Sequence, residues 1–183
     1  MNAKAASGMI GPMTVVPGRR EATTQDFQSM FVAHYTMVVR TVRLIVHDHA
    51  VAEEATRDAF VQLLRNWRKV SAYERPDLWV RRVAIRQGQR QVHRDRQRSR
   101  LELVSLPTVA TTDSAPDDEV LDAVRELPPG QRAVVVLFYL EDRPMGEIAD
   151  IPGCSVSTGW SQLHTARKRL AAALFEEVDP DVR

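Results

Sequence analysis

The sequence predicts an all-α protein with two small helical domains joined by a flexible linker. Apolar residues recur at three- and four-residue steps along most of the 183-residue chain, which is the period of amphipathic helices. The one run that could be a buried strand, AVVVLFYL, has no second strand candidate to pair with. A segment rich in proline, serine and threonine has no sustained period and divides the chain. The predicted units are a disordered tail at 1–25, a first domain at 26–100, a linker at 101–116 and a second domain at 117–176.

The tail is predicted from its glycine and proline residues, because both types interrupt regular structure. No continuous apolar stretch follows its single lysine, Lys4, so a signal peptide is not expected. No apolar run approaches the roughly 20 residues of a membrane span. The single cysteine, Cys154, excludes an internal disulfide and fits a reducing compartment. We therefore expect a cytoplasmic protein without membrane insertion.

Two amphipathic helices open the first domain, one from about Phe27 to Ile45 and one from about Ala52 to Trp67. The apolar stripe of the second helix, which we expect to be buried, consists of Ala52, Ala55, Ala59, Phe60, Leu63, Leu64 and Trp67. Its opposite face is charged or polar and carries Glu53, Glu54, Arg57, Asp58, Gln62 and Arg65.

A loop at 70–77 follows, because Pro76 disfavours helical backbone at the residue before it. A third helix begins near Asp77, which can act as its N-cap. The first half of this helix is apolar, and from Arg86 onward it is almost wholly polar and basic. The loop side chains that we expect to be exposed are Ser71, Tyr73 and Glu74.

The second domain begins with a short helix at 117–127, which a pair of prolines ends. For AVVVLFYL we favour a helix, because Pro129 suits its first turn. A short helix at 144–151 and the turn PGC lead to a final helix that Ser155 or Ser157 caps. The predicted apolar stripe of this final helix is Trp160, Leu163, Ala166, Leu170 and Leu174. A short helix, a glycine-containing turn and a longer basic helix form a helix-turn-helix.

The final helix has the side chains that a DNA-reading helix needs. Small polar residues at its start can approach base edges in a major groove about 12 Å wide. Arg167, Lys168 and Arg169 can meet phosphates further along. The alternative is an ordinary surface helix with a basic last turn, which its own dipole favours.

Longer motifs resemble the extracytoplasmic-function (ECF) sigma factors of bacterial RNA polymerase. The segment LPPGQRAVVVLFYLEDRPMGEIADIPGCSVSTGWSQLHTARKRL is similar to their promoter-reading carboxy-terminal domain. AEEATRDAFVQLLRNW resembles the helix that docks on the polymerase clamp, and RPDLWVRRVAIRQGQRQVHRDRQR resembles the helix that faces the minus-ten element. The likeness covers about 26–176. Several positions depart from it. Among them, Gly159 replaces a β-branched residue and Trp160 replaces a lysine; the others are Arg57, Arg86, Arg90, Ser157 and Gln162.

The resemblance implies a region-2-like domain at 26–100 and a region-4-like domain at 117–176. Such a chain binds core polymerase, recognises and melts promoter DNA, and directs transcription initiation. Its implied partners are bacterial RNA polymerase core, promoter DNA and an anti-sigma protein, and it needs no cofactor. In relatives the loop corresponding to 70–77 holds a base flipped out of the melting promoter, and Tyr73 could stack on that base.

Three sets of site residues follow. The residues expected to contact minus-thirty-five DNA are Arg132, Ser157, Thr158, Ser161, Gln162, Arg167, Lys168 and Arg169. Those expected at minus-ten DNA are Ser71, Tyr73, Trp79, Arg82, Arg86 and Arg90. Trp79 has a second interpretation, as a core residue. Those expected to bind core polymerase are Glu53, Glu54, Arg57, Asp58, Gln62 and Arg65.

Other functions receive less support from the residues. The HDH sequence at 47–49 offers metal-ligand types, but adjacent side chains at a helix end diverge. No phosphate-binding loop, dinucleotide fingerprint or nucleophile elbow occurs, so we do not expect an enzyme. A stand-alone helix-turn-helix regulator and a purely structural interaction module remain alternatives. A stable complex with core polymerase distinguishes a sigma factor from the regulator.

Overall fold

The computed structural model describes residues 15–16, 23–101 and 118–175 of the chain. Within these residues it contains eight α-helices and one π-helical turn, and no β-strand. In chain order the helices are α1 Thr24–Val46, α2 His49–Arg65, α3 Trp67–Val70, α4 Pro76–Leu101, α5 Asp118–Glu126, α6 Pro129–Val135, α7 Met145–Asp150 and α8 Val156–Phe175. The all-α prediction is confirmed. The predicted linker after residue 101, and most of the predicted tail, lie outside the described residues.

Helices α1, α2 and α4 pack against one another to form the first domain. Thr23 and Asp26 cap the start of α1 reciprocally, and the Asp48 side chain caps α2. Val38, Val42, Leu63 and Ile85 lie in the core that these three helices enclose and are almost completely buried. Burial of such side chains stabilises the domain by about 1.5–3 kcal/mol each. The core therefore fixes the surfaces of α2 and α4 that face outward.

Helix α1 has the length and composition of a membrane span. It has 23 residues and a mean hydropathy of 1.2 in its most apolar window. The expectation that no segment approaches a span is therefore wrong for this helix. Its apolar face, which includes Val38, Val42 and Ile45, packs against the other helices of the domain. The same composition is typical of the core helix of a helical bundle.

The second domain consists of α5, α6, the π-helical turn Val136–Leu140, α7 and α8. The helix predicted for AVVVLFYL is confirmed, although its second half has π-helical spacing. Helices α7 and α8 form the predicted helix-turn-helix, with Gly153 at φ +76° in the turn. The Ser155 hydroxyl accepts a hydrogen bond from the Thr158 amide at 3.1 Å and so caps α8.

Two residues assigned to buried stripes are exposed instead. Leu64 on α2 is 53% exposed, and Trp160 on α8 is 48% exposed. Each lies at the edge of its apolar stripe, next to residues that are completely buried, such as Leu63 and Leu163. Spacing alone does not show where a helical stripe ends.

Gly159 permits the close approach of α7 to α8. A side-chain Cβ at this position would lie 2.6 Å from the sulfur of Met145, which is itself buried. Met145 thus occupies the space that the β-branched side chain of the ECF pattern would need at position 159. The helix loses about 0.5–1 kcal/mol of intrinsic stability by having glycine here.

Replacing Gly159 with valine, the kind of residue usual in ECF sigma factors, should destabilise this protein. We expect the free energy of unfolding to fall by about 1–3 kcal/mol, because the new side chain overpacks against Met145. Gly146→Val is the matched control, since no atom lies within 4 Å of the place that its Cβ would occupy. Urea unfolding followed by circular dichroism measures both. Equal effects of the two substitutions would contradict this account of Gly159.

Candidate nucleic-acid and protein interfaces

Helix α8 presents a polar strip to solvent. Ser157, Ser161, Thr165 and Lys168 are exposed and recur at three- and four-residue steps, so they share one helix face. The hydroxyl of Ser161 donates to the Ser157 carbonyl, and that of Thr165 donates to the Ser161 carbonyl. Their oxygens keep lone pairs that can accept further hydrogen bonds. The strip has the polarity and small size of a major-groove reader.

The other residues predicted for minus-thirty-five DNA differ in accessibility. Thr158 and Arg169 are exposed, and Gln162 is half-buried beside α6. Arg167 is exposed but lies on another side of α8, where its Nε donates to the Tyr139 hydroxyl at 2.6 Å. Its guanidinium also lies 5.8 Å from the centre of the Phe138 ring, within cation–π range.

Arg132 does not lie on the surface, where a residue that contacts phosphate is expected. It is buried, and its guanidinium donates to the Ile45 carbonyl at 2.6 Å and to the Leu127 carbonyl at 2.9 Å. Ile45 belongs to the first domain, so Arg132 joins the two domains. Burial, the largest cause, lowers the pKa of Arg132 below its ordinary value. In this arrangement the side chain cannot reach DNA.

The loop predicted to read minus-ten DNA is less open than expected. Of its three side chains, only Glu74 is exposed, whereas Ser71 and Tyr73 are buried. Trp79 is also buried, as its core interpretation requires. The expectation that Ser71 and Tyr73 are exposed is therefore wrong for this conformation. A base could stack on Tyr73 only after the ring is uncovered.

The basic face of α4 packs against the helix-turn-helix. Arg82 is buried and donates to the Asp150 carbonyl, at the end of α7. Arg86 donates to the Ile151 carbonyl at 3.0 Å, in the turn that follows. These carbonyls end a helix and have no partner within it, so arginine is a favourable neighbour. Of the three arginines predicted for minus-ten DNA, only Arg90 is exposed.

A buried network of charges joins the same two domains. The Arg81 Nε and a carboxylate oxygen of Glu141 are 2.9 Å apart, and their side chains are only 3% and 4% exposed. The direction of the N–H is not that of a hydrogen bond, so the contact is an ion pair. Glu141 also accepts from the Thr41 hydroxyl of α1. Arg75, which precedes α4, pairs with Glu147 of α7.

Asp77 lies at the centre of this interdomain network. Arg75 binds it through two nitrogens at 2.9 and 3.0 Å, and Arg143 of the second domain is 3.6 Å away. Burial raises the pKa of Asp77, but the hydrogen bonds and charge of Arg75 outweigh it and hold the pKa below 3.8. The ionised carboxylate therefore stabilises this arrangement above about pH 3.8. That contribution is lost as the pH falls through the lower, folded-state pKa.

Helix α2 carries an exposed patch of mixed character. Five of the six residues predicted to bind polymerase, all except the half-buried Glu53, are exposed: Glu54, Arg57, Asp58, Gln62 and Arg65. Val61 and Leu64 are exposed among them, at 42% and 53%. Charges around a small apolar centre are typical of protein-binding surfaces. No group of three or more histidine, cysteine or acidic side chains in the described residues could hold a metal ion.

Comparisons with known proteins agree with this architecture. Residues 117–170, which contain the helix-turn-helix, match the family "Sigma-70, region 4". The chain is 29% identical over 167 residues to the RNA polymerase sigma-E factor of Streptomyces avermitilis, covering 86% of this chain and 89% of that protein. It is 25% identical over 163 residues to the RNA polymerase sigma factor CarQ of Myxococcus xanthus, covering 86% of this chain and 94% of that protein.

Along most of its length the chain is therefore similar to RNA polymerase sigma factors. Its fold is that of the sigma factor RpoE from Bartonella quintana, solved with the anti-sigma factor NepR. The TM-score is 0.62 at 21% identity, over 82% of this chain and 98% of that one. For CnrH, solved with the cytosolic domain of CnrY, the TM-score is 0.61 at 21% identity, over 85% of this chain and 92% of that one.

The sequence analysis did not identify every residue of these surfaces. Thr165 continues the polar strip of α8, and its four-residue step from Ser161 is a signal that was present in the sequence. The contacts of Arg82 and Arg86 with α7 carried no such signal, because their partners lie 68 and 65 residues away.

Replacing Glu141 with glutamine should weaken the contact between the two domains. The change leaves the buried Arg81 without its nearest carboxylate, and loss of one partner of a buried pair costs about 3–5 kcal/mol. We expect a larger radius of gyration by small-angle scattering, because the domains separate. Asp142→Asn is the matched control, since it removes an exposed neighbouring carboxylate. An unchanged radius for Glu141→Gln would contradict the proposed strength of the contact.

Proposed function

We propose that the chain is an extracytoplasmic-function sigma factor, which docks on the RNA polymerase core through α2 and directs it to promoters. The first domain would open the minus-ten element, and α8 would read the minus-thirty-five element. The match of 117–170 to sigma-70 region 4, on a helix-turn-helix with an exposed polar strip, carries this proposal. Run-off transcription by core polymerase with and without the chain tests it. A promoter-specific transcript that needs the chain is the expected result.

The polymerase-docking patch consists of Glu54, Arg57, Val61, Leu64 and Arg65 on α2. These residues are exposed, and none is needed for the core of the first domain. Leu64 and Val61 supply apolar area that a partner can cover, while the surrounding charges select the partner and its orientation. Glu53 is more constrained, because it lies within ion-pair distance of both His49 and Arg57.

Leu64→Glu should weaken binding to core polymerase at least about tenfold, which corresponds to about 1.4 kcal/mol. The carboxylate enters the apolar centre of the patch and must be desolvated when the partner covers it. Val120→Glu, at 52% exposure on α5 of the other domain, is the control and should bind normally. Fluorescence anisotropy with purified core measures both affinities. Normal binding of the Leu64→Glu variant to core polymerase would exclude this patch as the docking site.

For minus-thirty-five DNA we propose that Ser157, Thr158, Ser161 and Gln162 face base edges or the nearby backbone. Lys168 and Arg169 are exposed and would contact phosphates. Arg167 could join them if it leaves the Tyr139 hydroxyl. Direct hydroxyl contacts provide weaker base selection than the bidentate pairs that arginine makes with guanine. Phosphate contacts therefore supply much of the affinity.

The Lys168→Ala, Arg169→Ala double variant should reduce the slope of log affinity against log salt by about 2. Each lost phosphate contact removes about one released counterion. Arg40→Ala, an exposed cation on α1, should leave the slope unchanged. Filter binding of promoter DNA at several salt concentrations gives the slopes. A wild-type slope in the double variant would exclude these two side chains from the phosphate contacts.

For minus-ten DNA we propose that Arg82, Arg86 and Arg90 follow the backbone of the separated strand. Arg82 and Arg86 donate to carbonyls of the second domain in the closed arrangement, which we define by these hydrogen bonds of α4 with Asp150 of α7 and with Ile151 in the turn that follows. They become available only when the domains move apart. Binding to polymerase would therefore have to open the chain before α4 engages the promoter.

We further propose a cytoplasmic location, an anti-sigma protein as a partner, and no catalytic activity or cofactor. RpoE was solved with the anti-sigma factor NepR, and CnrH with part of CnrY. A partner that binds the closed arrangement would keep Arg82 and Arg86 away from DNA. Co-purification of the tagged chain from its own cell extract, with and without excess core polymerase, tests this partner.

A further inference from the structure

A cavity of about 850 Å³ lies between the two domains. On one side it is lined by the last two turns of α1 and the first residue of α2. On the other side it is lined by α5, α6, the π-helical turn and α8. Small-molecule sites in proteins usually have volumes of about 300–1,000 Å³. Of the residues proposed above to contact polymerase or DNA, only Arg167 lines this cavity.

The wall of the cavity is largely apolar, and the protein leaves much of it uncovered. Its apolar side chains include Leu44, Val120, Leu140, Leu170 and Leu174. Val120 is 52% exposed and Leu140 is 54% exposed. A hydrocarbon chain that displaces water from this surface gains free energy in proportion to the area that it covers.

Arginine side chains give the same cavity a positive charge. Arg40, Arg43, Arg125 and Arg167 line it and are exposed, so their guanidinium groups are accessible to a ligand. None of the described residues that line the cavity is acidic. Arg125 pairs with Asp122 outside the lining, whereas Arg40 and Arg43 form no ion pair with another described residue. Because Arg40 and Arg43 are three residues apart on α1, their side chains share one helix face.

His47, which also lines the cavity, reports the same positive surroundings. Burial and then the charges of Arg132 and Arg125 lower the pKa of His47 to about 4. The imidazole is therefore neutral near pH 7, and the permanent charge of the cavity comes from its arginines. A neutral imidazole can still donate one hydrogen bond to an anion.

A fatty acid anion has both of the features that this cavity requires. Its hydrocarbon chain suits the apolar wall, and its carboxylate suits guanidinium groups, which bind carboxylates through two parallel hydrogen bonds. An inorganic phosphate would meet the charges but leave the apolar wall in water. We propose that the cavity binds a free fatty acid, with the acyl chain along the apolar wall and the carboxylate beside Arg40 and Arg43.

A ligand in this cavity contacts both domains at once. These joint contacts exist only while the domains remain in the closed arrangement, so binding favours that arrangement by mass action. The fatty acid would thus oppose docking on polymerase. This consequence rests on the proposed function, whereas binding to the cavity does not.

Equilibrium dialysis of the full-length chain against radiolabelled dodecanoate, below the concentration at which micelles form, tests the site. We expect one saturable site per chain. Acetate has the carboxylate without the acyl chain, and dodecyltrimethylammonium has the same chain with a cationic head. Neither should displace dodecanoate, because each satisfies only one of the two features of the cavity.

Two variants with matched controls separate the contributions of charge and shape. Arg43→Ala should weaken dodecanoate binding about tenfold, since it removes a charge-assisted hydrogen-bond donor. Lys69→Ala removes an exposed cation on α3, outside the cavity, and should bind normally. Ala171→Trp fills the cavity from α8 and should weaken binding at least about tenfold. Ala172→Trp changes the next exposed residue, which does not line the cavity, and should bind normally.

Absence of a saturable site would overturn the inference and leave a protein segment as the occupant of the cavity. Displacement by dodecyltrimethylammonium as effective as that by unlabelled dodecanoate would also overturn it, because the arginines would then not select the ligand. The same holds if Arg43→Ala and Ala171→Trp both bind dodecanoate as tightly as the unchanged chain.

Fluorescence anisotropy with core polymerase tests the consequence for docking. Dodecanoate that saturates the unchanged chain should weaken its docking, and should weaken the docking of Arg43→Ala less at the same concentration. Unchanged docking with dodecanoate bound would exclude its effect on the domains. A chain that does not bind core polymerase even without dodecanoate counts against the proposed function, whereas dialysis still decides the occupant of the cavity.

Discussion

The arrangement of the whole molecule depends on the ion pair between Arg81 and Glu141. Both side chains are almost completely buried, and they come from different domains. A charge in such a place is tolerated only with its partner, because desolvation of an unpaired ion costs several kcal/mol. Asp77, Arg75 and Arg143 surround the pair, and Arg75 and Arg143 extend the network to Glu147 in the first turn of α7. The two domains are thus held together by charges rather than by a shared apolar core alone.

This constraint gives the arginines of α4 two incompatible roles. In the closed arrangement Arg82 and Arg86 satisfy carbonyls at the end of α7 and in the turn before the DNA-reading helix. In a promoter complex the same guanidinium groups would be needed for phosphates. The interdomain contacts therefore oppose promoter binding until polymerase binds. The free energy of polymerase binding must exceed the free energy of these contacts. Weakening the network should favour the open form, and strengthening it should favour repression.

Sequence periodicity was sufficient for the helices and for the helix-turn-helix, because both depend on residues close in the chain. The apolar steps of α1, α2 and α8, the cap at Ser155 and the proline in the first turn of α6 are all local signals. Contacts between the domains were not predictable in this way. Arg132 was assigned to phosphate, but its partner Ile45 lies 87 residues away. Gly159 was assigned only a cost in helix stability, because the proximity of Met145 is visible only in the folded domain.

The most direct test of the closed arrangement is an interdomain distance measured by pulsed electron spin resonance. Spin labels attach at Ser29→Cys and Ala172→Cys, which are exposed on α1 and α8, in a chain with Cys154→Ser. We expect one narrow distribution of distances between the labels in the free chain, and a distribution centred at longer distances after core polymerase is added. The same distribution with and without polymerase would contradict the claim that docking must separate the domains.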